Sequence, residues 1–235
     1  LTENKTLRPK NFFFVFTFQG IFSLASRERC IANLKKFRMP LINKNIKMPT
    51  DTAAVLVPLC RVNNIPSLLY TVRSMQLKSH SGQISFPGGK TDKDETPIDT
   101  ALRETHEEIG LSREKIEVWG CTQALPGRNF KIMITPVVGS IPELEEKDLS
   151  INKNEVDYVF TAPLESLCNP KNQFYTQYKN GFILPVFVIN EFRIWGITAY
   201  ITHIVLSCLL PQDIYKNNWM QNKIPKKNLI NEITY

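Results

Sequence analysis

The chain lacks any cysteine pair with CxxC spacing. Its five cysteines (30, 60, 121, 168 and 208) are scattered and odd in number. That leaves no basis for a disulfide framework and points to a reducing compartment. Most stand in apolar runs and read as small core residues. Histidine is scarce as well. The three (80, 106 and 203) form no metal-ligand pattern, and His106 reads as surface. Apolar runs long enough to cross a bilayer are also missing. The aromatic run Asn11–Phe18 is too short, and the 15 residues of Gly196–Leu210 are interrupted by Thr198, Thr202 and His203. There is no internal repeat. The chain begins at Leu1 without an initiator Met.

Positive charge is abundant but confined. Residues 1–50 hold ten Lys and Arg against Glu3 and Glu28, which leaves 19 basic and 20 acidic residues for the remainder. The net charge of +7 therefore belongs to the N-terminal segment. A nucleic-acid partner for the folded domain is not expected on this ground.

What is present in quantity is carboxylate on one short stretch. Thr96 is a good N-cap, Pro97 suits the first helical position, Asp99 completes a capping-box-like start, and Gly110 suits a left-handed stop. These signals predict a helix from about Pro97 to Ile109. Ile98, Ala101, Leu102, Thr105 and Ile109 then share one core-facing stripe. Glu104, Glu107 and Glu108 fall together beside it at i, i+3 and i+4. Like charges at that spacing repel unless a cation sits among them. Hard oxygen ligands on a rigid face suit Mg²⁺ or Mn²⁺, with Arg103 placed to hold one carboxylate in orientation. A solvated acidic helix face is the plain alternative. The flanking Gly88-Gly89 turn, the cap and the stripe together favour the metal reading.

The full spacing is Gly89-x5-Glu95-x7-Arg103-Glu104-Thr105-x-Glu107-Glu108-x-Gly110-Leu111. It resembles the Nudix box, Gly-x5-Glu-x7-Arg-Glu-U-x-Glu-Glu-x-Gly-U, with U a bulky aliphatic residue. Thr105 at the first U is the one departure, and its hydroxyl is expected to bond back to a carbonyl one turn earlier. The resemblance implies a Nudix-type α/β/α sandwich with a mixed sheet. It also implies metal-dependent hydrolysis of a diphosphate linked to a nucleoside or similar group. Glu104, Glu107 and Glu108 are then the implied metal ligands, and Glu104, Glu107 and Arg103 the implied catalytic residues. A general base comes either from these glutamates or from a later acid, Glu155 or Asp157. The alternative for those two is a solvated turn.

The stretch before the box reads Leu68-Leu69-Tyr70-Thr71-Val72-Arg73-Ser74, then Lys78, Gly82 and Phe86-Pro87-Gly88-Gly89. It resembles the extra motif of coenzyme A diphosphatases, with Lys78 where that motif has Arg. Lysine keeps the charge but loses the bidentate fork. Arg73 and Lys78 become candidate anion binders, because coenzyme A carries a 3′-phosphate besides its diphosphate. Without the motif, Arg73 would read as a solvated strand end and Lys78 as a loop lysine. Gly88 and Gly89 let backbone approach the diphosphate closely. Similarity to the mitochondrial branch of these enzymes extends over about 24–210. It implies a small-molecule substrate, coenzyme A or acyl-coenzyme A, rather than NADH, ADP-ribose or capped RNA. Oligomeric state is not legible.

Three regions follow. Residues 1–50 form a basic N-terminal extension, a possible mitochondrial transit segment plus an amphipathic helix at Ser26–Phe37. Peroxisomal and cytosolic locations, and a translated artefact for 1–20, are the alternatives. In that helix, Ile31, Leu34 and Phe37 face the domain. Residues 51–210 form the hydrolase domain. Its strands are expected at 53–60, 67–73, 115–122, 132–141, 158–162, 173–178, 182–189 and 193–195, with a short helix at 162–167 and an apolar helix at 196–210. Residues 211–235 are expected to form a loose polar tail.

Overall fold

The computed structural model describes residues 18, 20–39, 49–77, 81–127, 130–178 and 181–225. The aromatic run up to residue 17, the linker at 40–48, Lys78, His80 and the last ten residues lie outside this set. The elements in chain order are α1 (Leu24–Lys36), β1 (Thr52–Val62), β2 (Ile65–Arg73), β3 (Ile84–Ser85), β4 (Gly88–Lys90), α2 (Pro97–Ile109), β5 (Glu117–Cys121), β6 (Leu125–Pro126), β7 (Met133–Ile141), β8 (Val156–Pro163), α3 (Leu164–Cys168), β9 (Gln173–Gln177), β10 (Ile183–Ile189), β11 (Phe192–Ile194) and α4 (Gly196–Leu209).

The main sheet is mixed, with the path β3-β2-β1-β7-β5. β1 and β7 run parallel, and every other pairing is antiparallel. A small sheet, β11-β10-β9, stands beside it. β1 reads as a continuous apolar run because both of its faces are covered. Leu56, Leu69 and Val137 face α2, while Val57, Tyr70 and Val138 face the opposite core. Asn63 and Asn64, at φ 49° and 64°, make the two-residue turn that fixes the Val62–Ile65 register. Pro58 sits inside a central strand without costing a ladder bond. β1 leaves β4 after Val55 and meets β2 only at Leu59, so the missing N–H faces the gap between them.

α1 packs on α4 through Ser26, Cys30 and Leu34, with Ile31 and Phe37 at its margins. Ser23 caps it. Arg29 donates to the Leu209 carbonyl at 3.1 and 3.3 Å, and Asn33 donates to the Cys208 carbonyl at 3.0 Å. α1 thereby satisfies carbonyls that α4 cannot satisfy itself. α4 is buried on most of its circumference, and Thr202 binds the Tyr70 hydroxyl at 2.9 Å. Among the described residues no helix is long and apolar enough to cross a membrane.

The C-terminal segment departs from expectation. Through residue 225 it is packed rather than loose. Tyr215 and Trp219 are buried against α4, and the Asn222–Ile224 backbone bonds to both sides of Tyr175. Its apolar residues are too few and irregular to show a period, yet two large rings suffice to anchor it. Four of the five cysteines are buried as expected, and Cys121 is exposed.

Candidate active site

α2 forms as its end signals predict. The Thr96 Oγ1 accepts from the Asp99 N–H at 3.2 Å, Pro97 opens the helix, and Gly110 closes it at φ 70°. The Thr105 hydroxyl donates to the Ala101 carbonyl at 2.6 Å, one turn back, so this polar residue is buried without an unmet bond. His106 points to solvent.

Arg103 organises the acidic face. Its Nε and Nη2 meet the two oxygens of Glu95 at 2.6 and 3.0 Å. Nη1 reaches Glu104 at 3.0 Å and Glu107 at 3.2 Å, and Nη2 also donates to the Lys90 carbonyl at 3.1 Å. One guanidinium fork therefore holds three carboxylates and the end of β4. Hydrogen bonding to Arg103 pulls the Glu95 carboxyl down to about 2. Sequence reading assigned Glu95 no role. Its fixed place in the box was the available signal.

Glu108 departs from the simple picture of a ligand on an open face. It is only 2% exposed. Its Oε2 accepts from the Gly88 N–H at 3.2 Å, and its Oε1 stands 3.7 Å from Arg73 Nη1. Burial pushes its carboxyl up to about 8. Arg73 and the Gly88 N–H oppose the rise, and the charges of Glu104 and Glu155 add to it. Burial likewise raises Glu104, with Arg103 opposing. Gly89 allows this proximity, since a Cβ there would lie 2.3 Å from the Glu104 carboxyl carbon. At Gly88 (φ 150°) a Cβ would lie 2.3 Å from the Ala54 carbonyl oxygen. Gly88 is thus demanded by space against backbone, while a side chain at Gly89 would displace the Glu104 carboxylate.

Arg73 comes to this cluster as a neighbour of Glu108 rather than as a solvated strand end, and its buried Nε has no hydrogen-bond partner among the described residues. Lys78 lies outside the described residues. Gly88, Gly89, Arg73, Arg103, Glu104, Glu107 and Glu108 are gathered in one place, and the charge of Glu155 reaches Glu104 and Glu108. Asp157 does not, because its carboxylate accepts from the Met75 N–H at 3.2 Å.

Among the described residues no three of His, Cys, Asp and Glu stand close enough together to hold a metal ion as they are placed. Arg103 draws Glu104 and Glu107 toward itself, while Glu108 faces Gly88 and Arg73. The residues nevertheless fit a hard divalent cation. Their donors are carboxylate oxygens only, two of them are pushed toward the protonated form by burial, and a cation would reverse that penalty. No side chain at Gly89 fills the approach to Glu104.

A mixed α/β fold carrying an arginine-organised acidic helix beneath a glycine strand defines a Nudix-type domain. The chain belongs to the Nudix family of hydrolases, whose NUDIX domain matches residues 50–179, more than half of its length. It is 47% identical over 165 residues to the protein named mitochondrial coenzyme A diphosphatase NUDT8 of Mus musculus, covering 68% of this chain and 78% of that one. The Homo sapiens protein of that name is 44% identical over 166 residues, covering 68% and 70%. Nudix hydrolase 3 of Caenorhabditis elegans is 34% identical over 219 residues, covering 84% and 90%.

Proposed function

We propose that the protein hydrolyses the diphosphate of coenzyme A and its acyl derivatives, giving 3′,5′-ADP and (acyl-)4′-phosphopantetheine. The observation that carries this reading is the 44–47% identity to proteins named coenzyme A diphosphatases, in a chain that keeps Glu95, Arg103, Glu104, Glu107 and Glu108 at the box spacing. The small-molecule substrate fits a catalytic region that is nearly neutral, with 19 basic and 20 acidic residues after residue 50.

In this reading Glu104, Glu107 and Glu108 hold Mg²⁺ or Mn²⁺. The ion supplies charge neutralisation on the diphosphate and makes phosphorus more electrophilic. The chain does the rest. Arg103 keeps Glu104 and Glu107 on one face and Glu95 at its side. The Arg73 guanidinium, standing beside Glu108, is placed to meet a phosphate oxygen, and Lys78 supplies a second cation. Gly88 and Gly89 leave room for the diphosphate against β4. Hydrolysis adds water across the P–O–P bridge. The water oxygen bonds one phosphorus, the bridging oxygen departs with the other phosphate, and the released proton passes to a carboxylate. Glu155 is favoured over Asp157 as its acceptor, since its charge is felt by both Glu104 and Glu108, whereas Asp157 is occupied by Met75.

The mitochondrial names of the relatives and the basic N-terminal fifty residues together favour a mitochondrial location. A fusion of residues 1–50, led by its native start, to a fluorescent protein tests it. A diffuse cytosolic signal would count against that address. The activity is tested by mass analysis of products from coenzyme A, NADH, ADP-ribose and capped RNA, side by side with Mg²⁺ or Mn²⁺. Phosphopantetheine and 3′,5′-ADP are expected. Much faster cleavage of NADH or ADP-ribose would overturn the substrate assignment.

A further inference from the structure

β2 and β8 pair in regular antiparallel register from Ser67–Pro163 to Val72–Tyr158, and the next partners are Arg73 and Val156. Asp157 is skipped. It is the extra residue of a β-bulge, with no partner on β2. The bulge resets the alternation of β8. Tyr158 and Phe160 stand on the Tyr70 side, where Phe160 stacks on Tyr70. Strict alternation would put Val156 there too. Val156 is instead fully buried in the α2-side core. The chain just before the bulge is thereby carried toward α2, where the charge of Glu155 is felt by Glu104 and Glu108.

The same stretch is laced to both neighbours. On the helix side, Ser150 N–H donates to the Ile109 carbonyl at 2.8 Å and Asn152 N–H donates to the Glu108 carbonyl at 2.9 Å. On the other side, Ser74 N–H donates to the Glu155 carbonyl at 2.9 Å. Asn152 Nδ2 donates to Glu155 Oε1 at 3.2 Å, which aims the carboxylate. The bulged residue completes the lacing. The Asp157 carboxylate accepts from the Met75 N–H, and Lys153 Nζ donates to the Asp157 carbonyl at 2.5 Å. Asp157 is the one side chain in this set that ties the strand to the Ser74–Met75 backbone.

We propose that the bulge at Asp157 is a positioning device. Asp157 is a positioning residue that holds Glu155 against the Glu104–Glu108 face by anchoring the bulged chain to the Met75 N–H. This deepens the reading of that face as the hydrolytic site and rests on it.

The test is a double-mutant cycle on the full chain with the metal ion supplied. Asp157→Ala should lower kcat about tenfold by loosening Glu155, with KM nearly unchanged, and Asp157→Asn, which keeps an acceptor oxygen, should restore it. In a Glu155→Gln background Asp157→Ala should have no further effect. An equal loss in both backgrounds, failure of Asn to rescue, or full activity of Glu155→Gln alone would each overturn the proposal. Amide exchange at Met75 gives a readout independent of turnover. Protection should fall in Asp157→Ala and persist in Asp157→Asn, and unchanged protection in the Ala variant would overturn the tether. The cycle is run on whichever diphosphate the wild-type protein cleaves, so a wrong coenzyme A assignment shows as an inactive wild type on that substrate and leaves the cycle intact.

Discussion

α2 and α4 cover opposite faces of one sheet and differ in length by a single residue, 13 against 14. α4 holds no Asp, Glu, Lys or Arg, while α2 carries Asp99, Arg103, Glu104, Glu107 and Glu108. α4 is held by burial on most sides and by the Arg29 and Asn33 bonds at its end. α2 buries only a stripe and places a carboxylate, Glu108, at the boundary of its core. That placement opposes the ordinary preference of a carboxylate for water. The contrast separates stability from chemistry by face.

The contrast should break most sharply in activity. On the proposed metal-ligand role, Glu104→Gln or Glu108→Gln should each lower turnover by about 10²-fold or more, because a charged ligand would be lost where the diphosphate charge is to be neutralised. Circular dichroism should show each variant folded, since Gln keeps the shape of Glu. Near-normal turnover would remove that residue from the ligand set. Leu206→Ala on α4 should do the reverse. It should cost about 3 kcal/mol of unfolding free energy and leave kcat within about twofold at a temperature where the variant is folded. Urea titration beside steady-state kinetics measures both, and a large kcat effect would show that the faces are coupled.

A smaller effect follows from pH. Burial lowers His203 to about 4, where its ring sits among Tyr200, Tyr215 and Trp219 and its Nδ1 meets the Tyr215 hydroxyl at 2.9 Å. The folded state then binds fewer protons than the unfolded state between pH 6.5 and about 4. Its contribution is complete above pH 6.5 and is lost as pH falls through that window, on the order of 2 kcal/mol. Denaturant midpoints at successive pH values should show a loss that is reduced in His203→Gln. An identical acid dependence in that variant would exclude His203 as the cause. The smallest effect is expected from Arg29→Ala, about 1 kcal/mol from lost bonds to the Leu209 carbonyl, read as a lower melting temperature with unchanged kcat.

The two helices were also unequally legible in the sequence. α2 could be read from cap to cap because Thr96, Pro97 and Gly110 each act locally, and the Thr105 back-bond needs only its own helix. α4 could be read as an apolar stretch of helical length, but not its dependence on Arg29 and Asn33, some 175–180 residues away. β3, β4 and β6 are two or three residues long and too short for any period, so they exist through their partners. The carboxylates of the site were visible as a spacing. The burial of Glu108 was not, because it depends on β4 crossing above it and on Arg73 arriving from β2. The Asp157 bulge is a property of pairing between strands, and composition carries no trace of it.

The docking of α1 on α4 separates two boundaries that are easily taken for one. The stretch matched by the family, 50–179, contains every residue gathered at the acidic face, yet it omits α1, β10, β11 and α4. A fragment cut to those limits would keep its reactive groups and bare Val57, Leu59, Leu68 and Tyr70 to water. Such a fragment should express as aggregate, while one spanning 20–225 should stay in solution.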